Sequence, residues 1–156
     1  MLHTSEFDSV LEIQNDFNSP KSIIKLLNFD QVHRTLGYFV CPSGNQSATI
    51  TQLASLARKW VNRVQQSTLK DYEILLAYES VLLRQWAYRL PGSRLTYDEC
   101  NSIMKIVTPT LLNAMHTQRN MSRVLLQAGD VYCGMGFRHL YDLAAEEKIK
   151  FLKMHN

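Results

Sequence analysis

Residues 50–64 read ITQLASLARKWVNRV, and their apolar side chains recur at steps of three and four residues. The recurring residues are Ile50, Leu53, Ala54, Ala57, Trp60, Val61 and Val64. Because an α-helix turns once in 3.6 residues, these side chains share one face, and the basic residues between them fall largely on other faces. The segment after Asn45 therefore predicts an amphipathic helix of about five turns with one buried stripe.

Two further helices are predicted from residue 70 to residue 115. The first covers about 70–88 and ends at Pro91-Gly92-Ser93, because proline cannot extend the hydrogen-bond ladder and glycine favours a terminating turn. The second begins with a capping box, in which Thr96 caps the helix and Glu99 reaches back to the Thr96 amide. Pro109 is expected to kink or split this helix. The buried stripe of the first is predicted as Tyr72, Leu75, Leu76, Leu82, Leu83 and Trp86, and that of the second as Ile103, Met104, Ile106, Val107, Leu111, Leu112 and Met115.

The last part of the chain predicts a short helix over about 120–127 and a longer one over about 137–153. Ala128-Gly129-Asp130 closes the short helix, and Gly134-Met135-Gly136 is expected to be a flexible break between the two, either a hinge or a close packing turn. The apolar residues of the long helix are predicted as Leu140, Tyr141, Ala144, Phe151 and Leu152.

The first 45 residues predict short β-strands instead. Apolar runs at 9–15 and 22–27 flank the turn cluster Asn18-Ser19-Pro20, although the first run also fits a short helix. Residues 34–40 are rich in aromatic and β-branched side chains and predict a third strand, which stops at the loop sequence 41–45. The fold class expected is mainly α with a small N-terminal β-element, a bundle of about five helices, with 1–45 and 46–156 as its two parts.

Charge is distributed unevenly along the 156 residues. The formal net charge is +3, yet the first 16 residues hold four acidic residues and no Lys or Arg. The other 140 therefore carry 17 basic against ten acidic residues, a net +7. A cationic body of this kind attracts phosphate groups, although many ordinary enzymes have a similar charge.

Two features of the sequence bear on location. The N-terminal residues show neither the basic region nor the apolar region of a secretory signal, and no run approaches the 18 apolar residues of a membrane span. The three cysteines, Cys41, Cys100 and Cys133, lie far apart and form no C-x-x-C pair, which is typical of reduced thiols. We therefore expect an intracellular protein, cytoplasmic or nuclear, that is neither secreted nor in a membrane.

The sequence contains no pattern of a self-sufficient catalytic or metal site. The adjacent acidic pairs Asp98-Glu99 and Glu146-Glu147 fit a helix cap and an exposed turn better than a magnesium site. None of the five histidines stands four residues from another His or Cys on a predicted helix, and no phosphate-binding or nucleophile motif occurs. We therefore predict a protein that is not an enzyme and has no cofactor and no bound metal.

The basic residues form the candidate binding site. Arg58, Lys59 and Arg63 share the first helix, and Arg84, Arg89 and Arg94 bracket the end of the second, with aromatic residues among them. Interleaved cations and aromatic rings suit a surface that follows a phosphate backbone and stacks on bases. Trp60 and Trp86 nevertheless fall on the apolar stripes, which favours a place in the core for both.

Several short motifs resemble, in order and spacing, the region just after the catalytic palm in reverse-transcriptase-like proteins of non-LTR retroelements. Arg34-Thr35-Leu36-Gly37 and Pro42-Ser43-Gly44-Asn45 are similar to that family's "r-T-L-G" strand and "p-D-G-n" turn, with Ser43 in place of the acidic residue. The resemblance covers roughly residues 30–155. It continues at Trp60, Tyr88-Arg89-Leu90-Pro91, Leu95-Thr96, Cys100-Asn101-Ser102-Ile103-Met104, Tyr132-Cys133-Gly134-Met135-Gly136-Phe137 and Leu140-Tyr141.

The resemblance implies a thumb-like domain that grips a primer–template duplex by its backbone. In that family the catalytic carboxylates lie upstream of this region, and nothing before residue 30 of this sequence supplies them. Arg119 and Arg123 stand near the basic positions of the family's "P-R-A" segment, with Met121-Ser122 in place of the proline step. The nucleic-acid-binding residues expected are His33, Arg34, Arg58, Lys59, Arg63, Arg84, Arg89, Arg94, Arg119 and Arg123.

Two functions of different classes follow as hypotheses. The first is a non-catalytic fragment or remnant of a retroelement reverse transcriptase that binds RNA or an RNA–DNA duplex. The second is a helical module that binds a protein partner and no nucleic acid. Self-association through the N-terminal strands is a further expectation, because strands that lack sheet partners expose their edges.

Overall fold

The computed structural model describes residues 11–13, 22–24, 28–35, 38–118, 120–132 and 134–154. These residues are mainly helical, with a small β-element near the N-terminus, so the predicted fold class is confirmed. The strands are β1 (Leu11–Ile13), β2 (Ser22–Ile24), β3 (His33–Thr35) and β4 (Tyr38–Val40). The helices are α1 (Ser47–Gln66), α2 (Asp71–Ala77), a π-helical segment (Tyr78–Leu83), α3 (Arg84–Ala87), α4 (Tyr97–Ala114), α5 (Arg123–Gln127), a 3₁₀ turn (Asp130–Tyr132) and α6 (Leu140–Met154).

The strands form two separate antiparallel pairs. In the first, Leu11 of β1 lies opposite Ile24 of β2, so the helical alternative for this run is wrong. The predicted turn cluster between them lies outside the described residues. In the second pair, Thr35 of β3 lies opposite Tyr38 of β4. The single strand predicted over 34–40 is therefore wrong, because the run folds back on itself, and strand propensity alone does not show where that happens.

Helix α1 buries the stripe that its spacing predicts. Leu53, Ala57 and Trp60 have little or no exposed surface, and Ile50 and Val61 at the edges of the stripe are half-buried. The helix begins where the side-chain oxygen of Asn45 accepts a hydrogen bond of 2.9 Å from the Ser47 amide. The Leu53 carbonyl oxygen in turn accepts a hydrogen bond of 3.3 Å from the Trp86 indole, which joins α1 to α3.

Helices α2 and α3 are joined by the π-helical segment without a gap in the helical chain. The predicted stripe is correct for Leu82, Leu83 and Trp86 and wrong at the start, where Tyr72 is 64% and Leu76 is 61% exposed. A π-helix bonds residue i to residue i+5 and so needs more residues per turn, which rotates the preceding helix relative to an α-helical extrapolation. The buried residue that faces the core one turn before Leu82 is accordingly Tyr78.

Helix α4 begins with the predicted capping box. The Thr96 amide donates to a Glu99 carboxylate oxygen at 2.7 Å, and the Thr96 hydroxyl accepts from the Glu99 amide at 3.4 Å. Pro109 does not split the helix, which continues to Ala114. Proline has no N–H, so the Lys105 carbonyl oxygen loses its intrahelical donor, but the buried residues on both sides of Pro109 hold the helix to the core.

The segment between α5 and α6, which contains the predicted flexible break, is held in place by backbone hydrogen bonds. The amides of Gly134, Met135 and Gly136 donate to the carbonyl oxygens of Gly129, Leu125 and Ala128, at 3.1, 2.9 and 2.8 Å. A Cβ atom on Gly134 would overlap the backbone of Ala128. This glycine therefore serves close packing rather than mobility.

Helix α6 buries Leu140, Leu143 and Ala144. The predicted apolar residues Tyr141, Phe151 and Leu152 are largely exposed, and Leu143 was not predicted. The core centres on Tyr78, whose ring makes edge-to-face contacts with Trp60, Trp86 and Phe137 at centroid distances of 6.0 to 6.4 Å. No helix within the described residues is both long and apolar enough to cross a membrane.

Candidate functional site

A cavity of about 260 Å³ lies between α4, α5 and the segment that leads into α6. Its walls are mostly apolar and include Met104, Leu111, Leu112, Leu126 and Phe137. Six polar residues complete the lining: Asn101, Lys105, Thr108, Arg123, Gln127 and His139. An apolar cavity with a few convergent polar groups is the usual form of a small-molecule site.

His139 is the most deeply buried polar side chain of this cavity, with 2% of its surface exposed. Its ring stacks on Tyr97 with a centroid distance of 5.2 Å, and its Nδ1 accepts a hydrogen bond of 3.2 Å from the Tyr141 amide. An accepting Nδ1 carries no proton, so in the neutral ring the proton is on Nε2. Burial lowers the pKa of His139, which favours this neutral form.

The Nε2 atom of His139 is buried and has no hydrogen-bond partner among the residues that the structure describes. A buried donor without an acceptor costs about 1–3 kcal/mol, so native proteins rarely retain one without a reason. His139 thus contributes to the cavity wall a ring whose Nε2–H is buried and has no acceptor among the described residues.

Two cations complete the site. A guanidinium nitrogen of Arg123, at the first position of α5, donates a hydrogen bond of 2.7 Å to the amide oxygen of Asn101 on α4. This bond joins the two helices that flank the cavity and uses one of the five N–H groups of the guanidinium. Lys105 lies one helical turn beyond Asn101 and is exposed.

The predicted nucleic-acid-binding residues of α1 are all exposed. Lys59 and Arg63 are four residues apart and therefore share a stripe, while Arg58 is about 100° around the helix from Lys59. The helix contains no acidic residue, so these three cations give it a charge of +3 over 20 residues. Within the described part of the chain, none of the three forms an ion pair.

The other predicted cations lie on different elements. Arg84 lines a second groove, where Glu79, Glu147, Arg138 and Lys150 give a surface of mixed charge. Arg89 is half-buried, and its Nη1 donates to the Gln85 carbonyl oxygen at 2.6 Å. Arg94 is exposed, and its amide donates to the side chain of Gln46, at 3.4 Å, just before α1 begins.

His33 and Arg34 are exposed on β3, and β3 pairs with β4, which contacts α1. Arg119 lies outside the described residues. The structure therefore places Arg58, Lys59 and Arg63 on one helix, with the β3–β4 hairpin as its neighbour. It places Arg84 in the mixed groove and Arg123 at the cavity.

The adjacent acidic pairs have structural partners. Glu99 closes the capping box of α4, Glu146 lies 3.6 Å from Arg138, and Glu147 accepts from Lys150 at 2.6 Å. Within the described ranges, no group of three or more His, Cys, Asp or Glu side chains is arranged to hold a metal ion.

Sequence reasoning missed the cavity, and of its six polar residues it predicted only Arg123 as a site residue. His139 was considered only for metal spacing. The available signal was its position between Phe137 and Leu140, two residues that pack in or against the core. No protein-family model, no curated protein and no solved structure matches this chain.

Proposed function

We propose that this protein is a non-catalytic nucleic-acid-binding module that holds the phosphate backbone of RNA or of an RNA–DNA duplex. The observation that carries the proposal is the solvent-facing side of α1, where Arg58, Lys59 and Arg63 are exposed and no acidic residue is present. The ordered motifs that resemble a reverse-transcriptase thumb support the same function. In this proposal residues 46–156 are the thumb-like domain, and residues 1–45 correspond to the end of a palm.

The geometry of α1 suits contact with a backbone rather than with base edges. A backbone carries regularly spaced charges, so cations spread over an exposed helix can each meet a phosphate without a specific base. Lys59 and Arg63 provide one such stripe along α1. Arg34 and His33 are exposed on the neighbouring hairpin, whose strand β4 contacts α1, and they are further candidates for phosphate contact.

The two tryptophans take no direct part in this function. Trp60 and Trp86 are buried, so base stacking on either ring is excluded in this fold. Affinity would then come from charge and would depend strongly on salt, with little preference among sequences.

The direct test is a titration of a fluorescently labelled RNA–DNA hybrid with the full chain at two or more salt concentrations. The proposal expects binding at low salt, and the logarithm of the association constant should fall linearly with the logarithm of salt concentration. Absence of binding at low salt, or binding without a salt dependence, contradicts the proposal.

A pair of matched variants locates the surface. Replacing Lys59 and Arg63 by glutamine should weaken binding and reduce the salt slope by about two, since two phosphate contacts are lost. The control replaces Lys150 and Lys153 on α6 by glutamine, which removes the same charge from another helix. Equal effects of the two double variants would show that net charge alone, and not α1, controls binding.

The second hypothesis, a protein-interaction module, is supported by a different observation. Several large apolar side chains are exposed, among them Val124, Val131 and Tyr132 at 74%, 86% and 79%. Gel filtration with light scattering distinguishes the two functions. A stoichiometric homodimer whose interface covers Arg58, Arg63 and Arg84 favours the interaction module, because that surface is then closed to nucleic acid.

A further inference from the structure

The cavity beside His139 is separate from the surface of α1. It is lined by α4, α5 and the segment around Phe137, and its volume is about 260 Å³. Apolar cavities of about 150 Å³ already hold benzene, so this one has room for an aromatic or aliphatic body with a short polar chain. Its volume lies just below the range of about 300–1,000 Å³ that is usual for small-molecule sites, which limits the ligand to a small one.

The polar side chains that line the cavity are Asn101, Lys105, Thr108, Arg123, Gln127 and His139, and both charged residues among them are cations. The Nδ1 atom of His139 accepts a hydrogen bond from the Tyr141 amide, so the proton of the neutral ring is on Nε2. This Nε2–H has no acceptor among the described residues. Arg123 has guanidinium N–H groups beyond the one that bonds Asn101, and Lys105 adds an ammonium group. No acidic residue lines the cavity among the described residues. The complement of this arrangement is an anion with acceptor oxygens.

We propose that this cavity binds a small organic carboxylate, with its apolar body against Met104, Leu112 and Phe137 and its carboxylate held by His139, Arg123 and Lys105. The carboxylate accepts a hydrogen bond from the buried N–H of His139 and two charge-assisted hydrogen bonds from the cations. The proposal stands independently of nucleic-acid binding, since it uses none of the α1 residues.

The test uses the full chain and two simple probes, phenylpropanoate and phenylpropanol, which share the same ring and chain length. Binding is measured by isothermal titration calorimetry and by the rise in the midpoint of thermal unfolding. The Nε2–H resonance of His139, identified by its loss in His139→Phe, reports the site directly. We expect phenylpropanoate to bind, to move this resonance, and to bind about tenfold or more tightly than phenylpropanol.

Variants separate the polar from the apolar contribution. Lys105→Gln changes an exposed position and leaves the Arg123–Asn101 bond intact, so the cavity should persist, and the affinity for phenylpropanoate should fall severalfold while that for phenylpropanol is unchanged. Leu126→Trp should fill the cavity and abolish binding of both probes. Its fold is checked by circular dichroism.

Three outcomes overturn the proposal. They are no binding of phenylpropanoate at millimolar concentration, equal affinity of the two probes, and binding that leaves the His139 resonance unmoved. Because the double glutamine variant of α1 does not touch the cavity, it should bind phenylpropanoate as the unaltered chain does. A failure of the nucleic-acid proposal therefore leaves this result unaffected.

Discussion

The hydroxyl group of Tyr78 donates a hydrogen bond of 2.8 Å to the backbone carbonyl oxygen of Arg138, 60 residues further along the chain. This bond connects the π-helical segment to the segment that carries His139 into the cavity. Burial raises the pKa of Tyr78 far above its ordinary value, so the hydroxyl remains a donor at all working pH values. The position of the cavity wall thus depends on a residue of another helix.

Tyr78→Phe should lower the free energy of unfolding by about 1–2 kcal/mol, because the ring contacts remain and the Arg138 carbonyl loses its donor. Urea denaturation followed by circular dichroism measures the change. The matched control is Tyr72→Phe, which removes an exposed hydroxyl bonded to Glu73 and should change stability by less than about 0.5 kcal/mol. Equal effects of the two variants would contradict the structural role of the Tyr78 bond.

Gly134→Ala should destabilise the protein by about 2 kcal/mol or more, because the added methyl group overlaps the Ala128 backbone. Gly129→Ala is the control, since no atom lies within 4 Å of a Cβ at that position. Thermal unfolding of the two variants under the same conditions compares them. A Gly134→Ala protein as stable as the control would mean that the α5–α6 connection is loosely packed.

The stability of the fold should depend on pH through His139. Burial lowers the pKa of His139 in the folded state. Below about pH 6.5 the unfolded chain therefore binds a proton at this histidine that the folded chain does not bind. The free energy of unfolding should therefore decrease as pH falls from about 6.5 toward the lowered pKa. His139→Phe keeps the stacking on Tyr97 and removes the titrating group. The free energy of unfolding of this variant should therefore decrease less with falling pH than that of the unaltered chain. Urea denaturation at several pH values between about 7.5 and 5 provides the comparison.

The thiol of Cys100 should resist alkylation in the folded protein. It has no exposed surface, and burial raises its pKa to about 11, so at pH 8 very little thiolate is present. Iodoacetamide labelling at pH 8, mapped by peptide mass spectrometry, should modify Cys100 only after urea is added. Rapid labelling without urea is the result that would falsify this placement of α4.

The local features of the fold were predictable because a few neighbouring residues determine them. The capping box needs only Thr96 and Glu99, and the buried stripe of α1 follows from the spacing of Leu53, Ala57 and Trp60. Both depend on interactions within one or two helical turns, for which the order of residues is sufficient.

The errors arose where pairing or packing between segments decides the structure. Tyr72 and Leu76 fit an α-helical stripe, but the π-helical segment rotates them into solvent so that Tyr78 can face the core. The run at 34–40 is rich in aromatic and β-branched residues, and strand propensity does not determine that its two halves pair with each other. The segment at Gly134 looks flexible because it contains two glycines, yet hydrogen bonds to α5 and to Ala128 hold it.

The two candidate sites also differ in how far the sequence predicts them. The sequence by itself determined that α1 carries Arg58, Lys59 and Arg63 with no acidic residue, because charge and helical spacing are local properties. Only the tertiary structure decided that His139, Arg123 and Lys105 share a cavity. Those three residues come from three separate segments, and packing against a common core, through the bonds of Tyr78 to Arg138 and of Arg123 to Asn101, brings them together.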